Sequence, residues 1–272
     1  MADLDDRTAD GPSITFEGPV VRVTLDRPDQ LNALNDAVRR RLAGLLHELE
    51  DRPDVRVLVL SGNGRAFSAG ADLKNTAYPP VEGDWATRRH LTGTWQRLLE
   101  QFDRIPQATV AGLHGHVIGG AALLAAACDI RVAADDTVVR IPELAIGIPL
   151  TWAGIPLLVR EVGLPLARDW VMTCRPVLAD ELLRSGFAQR MVPRAQLDEA
   201  LETCVAQLVA IPAGPLAMTR ALTSALGRTN PAMAAGWGDA DHQQWAFTEP
   251  EQRDAVRAYM GGVGRRAQSP LE

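Results

Sequence analysis

Long apolar runs, basic clusters and paired cysteines are missing from this chain of 272 residues. No apolar stretch reaches the ~20 residues that a membrane-spanning helix needs, so no membrane-embedded segment is expected. Lysine and arginine (28) are outnumbered by aspartate and glutamate (34), for a net charge of −6. That balance argues against non-specific nucleic-acid binding and leaves no polybasic patch for a membrane surface. It does not exclude a small anionic ligand, which answers to local charge. The three cysteines, Cys128, Cys174 and Cys204, lie far apart without metal-type spacing. A sparse, odd count suits reduced thiols in a cytosol, and the apolar surroundings of Cys128 and Cys174 mark them as core filler. The acidic start, MADLDDRTADGPS, has neither a basic nor an apolar region and does not read as a secretory signal. A cytoplasmic protein is the expectation.

What is present is ordinary in amount, with 46% hydrophobic and 23% charged residues, enough for a sizeable core. Residues 1–12 read as a disordered tail. ITFEG and VVRVTLD form a hairpin around Gly18-Pro19. Asn35 is placed to cap a helix over about 36–50, with Val38, Leu42, Leu45 and Leu49 on one face. VRVLVLSG is a buried strand. Residues 75–84, polar and proline-containing, suit a mobile loop, and a helix then runs to about Arg104 with Leu91, Trp95, Leu98 and Phe102 as its stripe. ATVAGLHG is a strand, followed by the apolar run GGAALLAAAC and the short strands DIRVAA and TVVRI. After Glu143 the pattern is almost wholly helical. Strand-helix alternation followed by helices reads as α/β with a helical C-terminal part.

Some signals point weakly. His114 and His116 flank Gly115, but no third ligand lies near, so a strand end beside a tight turn explains them and no metal is expected. AFSAG is a near miss of the G-x-S-x-G nucleophile elbow, yet the strand before Ser68 ends near Leu60 rather than directly before it. Gly62-Asn63-Gly64 starts a dinucleotide fingerprint that Phe67 interrupts.

Two places combine a buried strand, a Gly- and Ala-rich turn and a helix start: GNGRAFSAGADLK and GHVIGGAALL. Small residues let a ligand approach the backbone. The first amides of a helix lack intrahelical partners and carry partial positive charge. Two such amides aimed at one point make an oxyanion hole; two tight turns packed for shape alone would leave the same pattern.

FSAGADL, AGLHGHVIGGAALLAAACDIRVAADD and PELAIGIP, with LDRPDQLNALN before them and VMTCRPVLADELLRSGFAQRMVP after, resemble the enoyl-CoA hydratase/isomerase family of the crotonase superfamily. The resemblance runs in order from about residue 14 to about residue 226. It implies a crotonase-like spiral of ββα turns over residues 13–200 and a helical region over 201–272 used in trimer assembly, giving a homotrimer or a hexamer. Trp237, Trp245, Phe247 and Tyr259 in that region suit either such an interface or internal core. The resemblance implies an acyl-CoA substrate and no cofactor, CoA being part of the substrate. It assigns the oxyanion donors to the amides of Ala71 and Gly120, and CoA contacts to Ala71, Asp72, Leu73 and Lys74. Arg27 and the Leu31-Asn32-Ala33 segment match the family's CoA channel, Asn32 reading equally as a turn residue before a helix.

Hydratases of this family use two glutamates. One position is Glu143, after Pro142; the other is Leu123 here. Hydration requires a water to be activated and a proton delivered to the α-carbon, which suits two carboxylates. Shifting a double bond from β,γ to α,β requires one base, which moves a proton from the α- to the γ-carbon. The single glutamate therefore points to an isomerase, with a hydratase of low efficiency or an inactive acyl-CoA-binding homologue as alternatives. Thioester hydrolysis, dehalogenation and ring cleavage also occur among crotonases, but acid–base residues for them are not evident. Leu150, Thr151 and Trp152 replace the Gly-rich stretch usual after PELAIGIP and are expected to line or narrow the acyl pocket.

Overall fold

The computed structural model describes residues 10–73 and 84–228, then Gly236, residues 238–248, Pro250, Asp254, Ala255 and Ala258. Residues 1–9 of the expected tail, Lys74, residues 75–83 of the expected mobile loop, Trp237, Tyr259 and the side chain of Phe247 lie outside the described residues.

Strand β1 (Ser13–Glu17) turns at Gly18-Pro19 onto β2 (Val20–Leu25), antiparallel with Glu17 opposite Val20. The Asn35 side chain accepts from the Val38 amide at 2.9 Å and so caps α1 (Asp36–Glu50), whose Val38, Leu42, Leu45 and Leu49 are buried. Strand β3 (Val57–Gly62) follows. The single helix expected next is two, α2 (Trp85–Thr92) and α3 (Thr94–Phe102), divided at Gly93. Glycine is a poor helix former, and Thr94 Oγ1 donates to the Leu91 carbonyl at 2.7 Å, competing with the helical ladder. Leu91 is consequently exposed, while Trp95, Leu98 and Phe102 are buried.

The chain continues through β4 (Ala108–Leu113), β5 (His116–Ile118), α4 (Gly120–Ala126), β6 (Ile130–Ala134), β7 (Val138–Arg140) and α5 (Gly154–Thr173). Then come β8 (Val177–Leu178), α6 (Ala179–Arg184), β9 (Arg190–Val192), α7 (Leu197–Ala210), α8 (Ala213–Arg228) and α9 (Asp239–Thr248). Strands β8 and β9 interrupt a region expected to be helical; at two and three residues they are too short to show a period.

The larger sheet has the order β1-β2-β3-β4-β6-β9 and is parallel beyond the first hairpin. Leu58 and Leu60 of β3 point into a core shared with α1, α3 and α4, whereas Val57 and Val59 point outward to Leu201 and Val205 of α7. Burial on both faces explains the unbroken apolar run. The smaller sheet, β5-β7-β8, takes one strand from each successive pass: β4 then β5, β6 then β7. This is the spiral of ββα turns that the resemblance implies, with a helical C-terminal part behind it. Helix α7 spans residue 200 and packs on the larger sheet. Among the described residues no single helix is long and apolar enough to cross a membrane.

One buried side chain ties the first passes together. Asn32 Oδ1 accepts from the Arg27 amide at 2.8 Å, and its Nδ2 donates to the carbonyls of Asn63 and Ala66 at 2.8 and 2.9 Å. Asn32→Ala orphans these backbone groups at a site that excludes water. It is expected to destabilise the protein by about 2–4 kcal/mol, read as a lower denaturant midpoint at unchanged slope; a loss below ~1 kcal/mol would show that Asn32 is no such pin.

Candidate active site

Three segments run side by side in one direction and end together. Ser68 forms a parallel bridge to Val117, its amide donating to the His116 carbonyl at 3.0 Å and its carbonyl accepting from Ile118 at 3.1 Å. On the other side β5 pairs parallel with β7, Ile118 opposite Arg140, and the Gly119 amide donates to the Arg140 carbonyl at 2.8 Å. Gly70-Ala71, Gly119-Gly120 and Pro142-Glu143 therefore emerge next to each other. Gly70 and Gly119 are required there. Gly70 has φ of +82°, and a Cβ on it would lie 2.3 Å from the Ile118 carbonyl oxygen and 3.6 Å from the Gly120 nitrogen. Gly119 has φ of +54°, and its Cβ would lie 2.5 Å from Glu143 Oε1.

The amides of Ala71 and Gly120 donate to no acceptor among the described residues. Gly120 is the first residue of α4, where an amide has no intrahelical partner. Ala71 is held by its neighbours: the Gly70 carbonyl accepts from Leu34 at 2.8 Å, and the Asp72 amide donates to Leu34 at 3.0 Å. Both residues line one cavity of about 460 Å³, together with Glu143.

Glu143 opens a short 3₁₀ turn, Glu143–Ile146, just past β7. The residue as a whole is half-buried, but its carboxyl end is not exposed: Oε2 is shut away from solvent with no hydrogen-bond partner. Burial pushes the carboxyl up to about 7, against a smaller opposing pull from its own backbone amide. A carboxyl at that value holds and releases a proton near neutrality.

The rest of the wall is largely apolar: Leu123, Ile146, Ile148, Leu150, Trp95 and Trp152. Leu123 is fully buried. The other carboxylate on the cavity wall, Asp36, pairs with Arg39 at 2.6 Å and Arg40 at 2.8 Å. Among the described residues Glu143 is thus the one carboxylate on this wall without a basic partner.

The residues expected to hold substrate divide. Ala71, Leu73 and Gly120 line the cavity. Arg27, Asn32, Ala33 and Asp72 are not among the residues that line it: Arg27 Nη1 donates to the Ala33 carbonyl at 2.7 Å and pairs with Asp72 at 3.0 Å, the Arg27 and Asp72 side chains both buried. Lys74 is outside the described residues. The Ser68 hydroxyl is buried, donating to the Asn32 carbonyl at 2.8 Å and accepting from the Gly70 amide at 3.1 Å, which makes it a brace of the turn rather than a nucleophile. His114 is buried with Nε2 at 3.1 Å from the Gly64 carbonyl, and His116 is exposed. Trp95, Thr92, Thr94 and Gln243 also line the cavity. Trp95 was visible only as part of a core stripe, and Gln243 arrives from far along the chain with no local signal.

The family model for enoyl-CoA hydratase/isomerase matches residues 15–261. A Mycobacterium tuberculosis protein named as a probable enoyl-CoA hydratase, echA8, is 34% identical over 209 residues, 75% of this chain and 79% of that protein. The human mitochondrial Delta(3,5)-Delta(2,4)-dienoyl-CoA isomerase is 32% identical over 192 residues, 67% of this chain and 58% of that one. A Thermobifida fusca YX protein solved in complex with acetoacetyl-CoA superposes with a TM-score of 0.75 at 32% identity, covering 86% of this chain and 94% of that one.

A carboxyl raised from 4.5 to about 7 keeps a proton that the unfolded chain would give up. Its stabilising effect is complete below pH ~4.5 and is lost as pH rises towards 7, by on the order of 3 kcal/mol at most. Glu143→Gln does not titrate, so its melting temperature relative to the parent is expected to climb by a few degrees between pH 5 and pH 8. A constant difference across that range would mean the carboxyl is not held this way.

Proposed function

This chain belongs to the enoyl-CoA hydratase/isomerase family, and from that premise we propose that it is an acyl-CoA isomerase that moves a double bond from the β,γ to the α,β position. The thioester oxygen sits between the amides of Ala71 and Gly120. Glu143, ionised, removes a proton from the α-carbon; the electron pair delocalises into a dienolate whose oxygen charge the two amides stabilise. The same carboxyl returns the proton to the γ-carbon, so no water and no second acid take part. CoA belongs to the substrate, and no further cofactor is required. Relatives solved with acetoacetyl-CoA or CoA, or named for a dienoyl-CoA, support this substrate class.

The observation that carries the choice of isomerisation is Leu123 beside a lone Glu143. Hydration requires water to be activated on one side of the double bond and a proton delivered on the other. Among the described residues this wall offers one carboxylate without a basic partner, Glu143, and a leucine at 123. Slow hydration remains the second reading, favoured by the hydratases among the relatives.

The expected result is that a 3-enoyl-CoA gains the absorbance of its conjugated isomer much faster than crotonyl-CoA loses it. Glu143→Gln is expected to reduce isomerisation by ~10²–10⁴-fold. The base must be ionised, so kcat/KM should rise with pH through about 7 and level off above it. Full activity in Glu143→Gln would overturn the assignment. Saturable binding of both esters without turnover of either would identify a binding protein instead.

A homo-oligomer is also part of the proposal. Met218 and Leu222 stand one turn apart on α8, both about two-thirds exposed on the single chain, an apolar surface of the kind that partners cover. In the C-terminal part Trp245 is likewise exposed. The buried, unpaired cysteines suit a cytosolic setting. Light scattering should report a trimer or a hexamer, and a Met218→Glu, Leu222→Glu double variant should dissociate it; a monomeric parent would overturn this part.

A further inference from the structure

The turn Leu150–Ala153 holds a conformation its residues do not choose. Trp152 and Ala153 have φ of +62° and +55°, two successive left-handed residues without a glycine. Such positions persist only where the surroundings over-determine them. Here several contacts do so. The Ala153 amide donates to Asp239 Oδ2 at 2.7 Å, a buried bond. The Trp152 indole stacks on Trp95 with centroids 4.7 Å apart and planes 10° apart. Thr151 Oγ1 donates to Gln243 Oε1 at 3.2 Å. Asp239 and Gln243 both belong to α9, which is fastened to α2 by Arg89–Asp241 at 2.9 Å and by Gln244 Nε2 donating to Thr92 at 2.9 Å.

The result is an aromatic edge at the reacting centre. A Cβ on Gly120 would lie 2.2 Å from Trp152 Cζ3 and 2.7 Å from its Cη2, so the indole closes directly on the residue carrying one of the free amides. Trp95 covers one face of the ring, and Trp152 lines the cavity. An acyl chain whose thioester oxygen rests on the Gly120 amide has to leave along that surface.

We propose that Trp152 selects unbranched acyl groups, rejecting a methyl branch beside the thioester carbon, and that Asp239, which does not line the cavity, is the positioning residue that holds Trp152 there. This rests on the acyl-CoA reading of the site. An extended, unbranched chain lies against an indole with close contact along its length. A tetrahedral branch at the α-carbon points a methyl group into the ring or into Gly120.

The test uses saturated esters, which bind but cannot isomerise: hexanoyl-CoA and 2-methylhexanoyl-CoA, titrated into the full-length protein by calorimetry. The parent is expected to prefer the unbranched ester by ~10-fold or more, the scale on which a closed apolar pocket discriminates one methyl group. Trp152→Ala should bring the ratio close to one, and Trp152→Phe, with a smaller flat ring, should fall between. Asp239→Ala should shift the ratio in the same direction, and Asp239→Asn, whose side-chain oxygen can still accept from Ala153, should restore it. A ratio unchanged in a folded Trp152→Ala or Trp152→Phe protein overturns the proposal while leaving the acyl-CoA reading intact. Equal weakening of both esters in Asp239→Ala removes the positioning role. Binding of neither ester by the parent overturns both readings.

Discussion

The parallel register of three short segments is the constraint on which this site depends. Ser68 against Val117 and Ile118 against Arg140 are each fixed by backbone hydrogen bonds. In a parallel pair every segment leaves the sheet in the same direction. Whatever follows the last paired residue therefore converges: two glycine-marked amides and one glutamate, from parts of the chain more than seventy residues apart in total span. A slip of one residue between β5 and β7 would turn Glu143 to the opposite face, and one between Ser68 and Val117 would do the same to Ala71.

Within that frame the polar groups are deliberately unequal. Arg27 Nη1 pairs with Asp72, and Asn32 and Ser68 bond to the nearby backbone. Glu143 Oε2 and the amides of Ala71 and Gly120 have no such partners among the described residues. Leaving a buried carboxyl unpartnered destabilises the fold, and a natural protein retains such a group where its function requires it. The braces around the turn make the unsatisfied groups sustainable, because they fix the backbone that would otherwise relax to hydrate them.

Legibility in the sequence followed the range of the forces involved. Asn35 as a helix cap, the hairpin at Gly18-Pro19 and the doubly buried β3 all rest on neighbours a few residues away, and each was readable. Gly119-Gly120 was readable for the same reason: a Cβ has no room there. The division of one expected helix at Gly93 was not, since glycine inside a helix is often tolerated and the deciding contact is the Thr94 hydroxyl. Strands β8 and β9 exist because β7 and β6 offer edges to pair with, not because their few residues have a preference. The cavity wall was legible in part. Leu150, Thr151 and Trp152 were expected on it and line it, but Trp95 and Gln243 join Trp152 and Thr151 there only after the spiral has closed, and no local pattern records a meeting at such sequence distance.

Leu123 is better understood as part of that wall than as a missing acid. It lies one turn into α4, a helix with every residue buried. A Cβ on Gly154 would lie 2.8 Å from Leu123 Cδ1 and 2.8 Å from Leu150 Cγ, so the turn that positions Trp152 is closed down onto the leucine side chain. A carboxyl at 123 would share this largely apolar wall with Glu143, and of two carboxyls so placed one holds its proton to a higher pH than it would alone. Leu123, Gly154 and Trp152 thus form one packing solution: the leucine that stands where a second acid would be also seats the turn that carries Trp152.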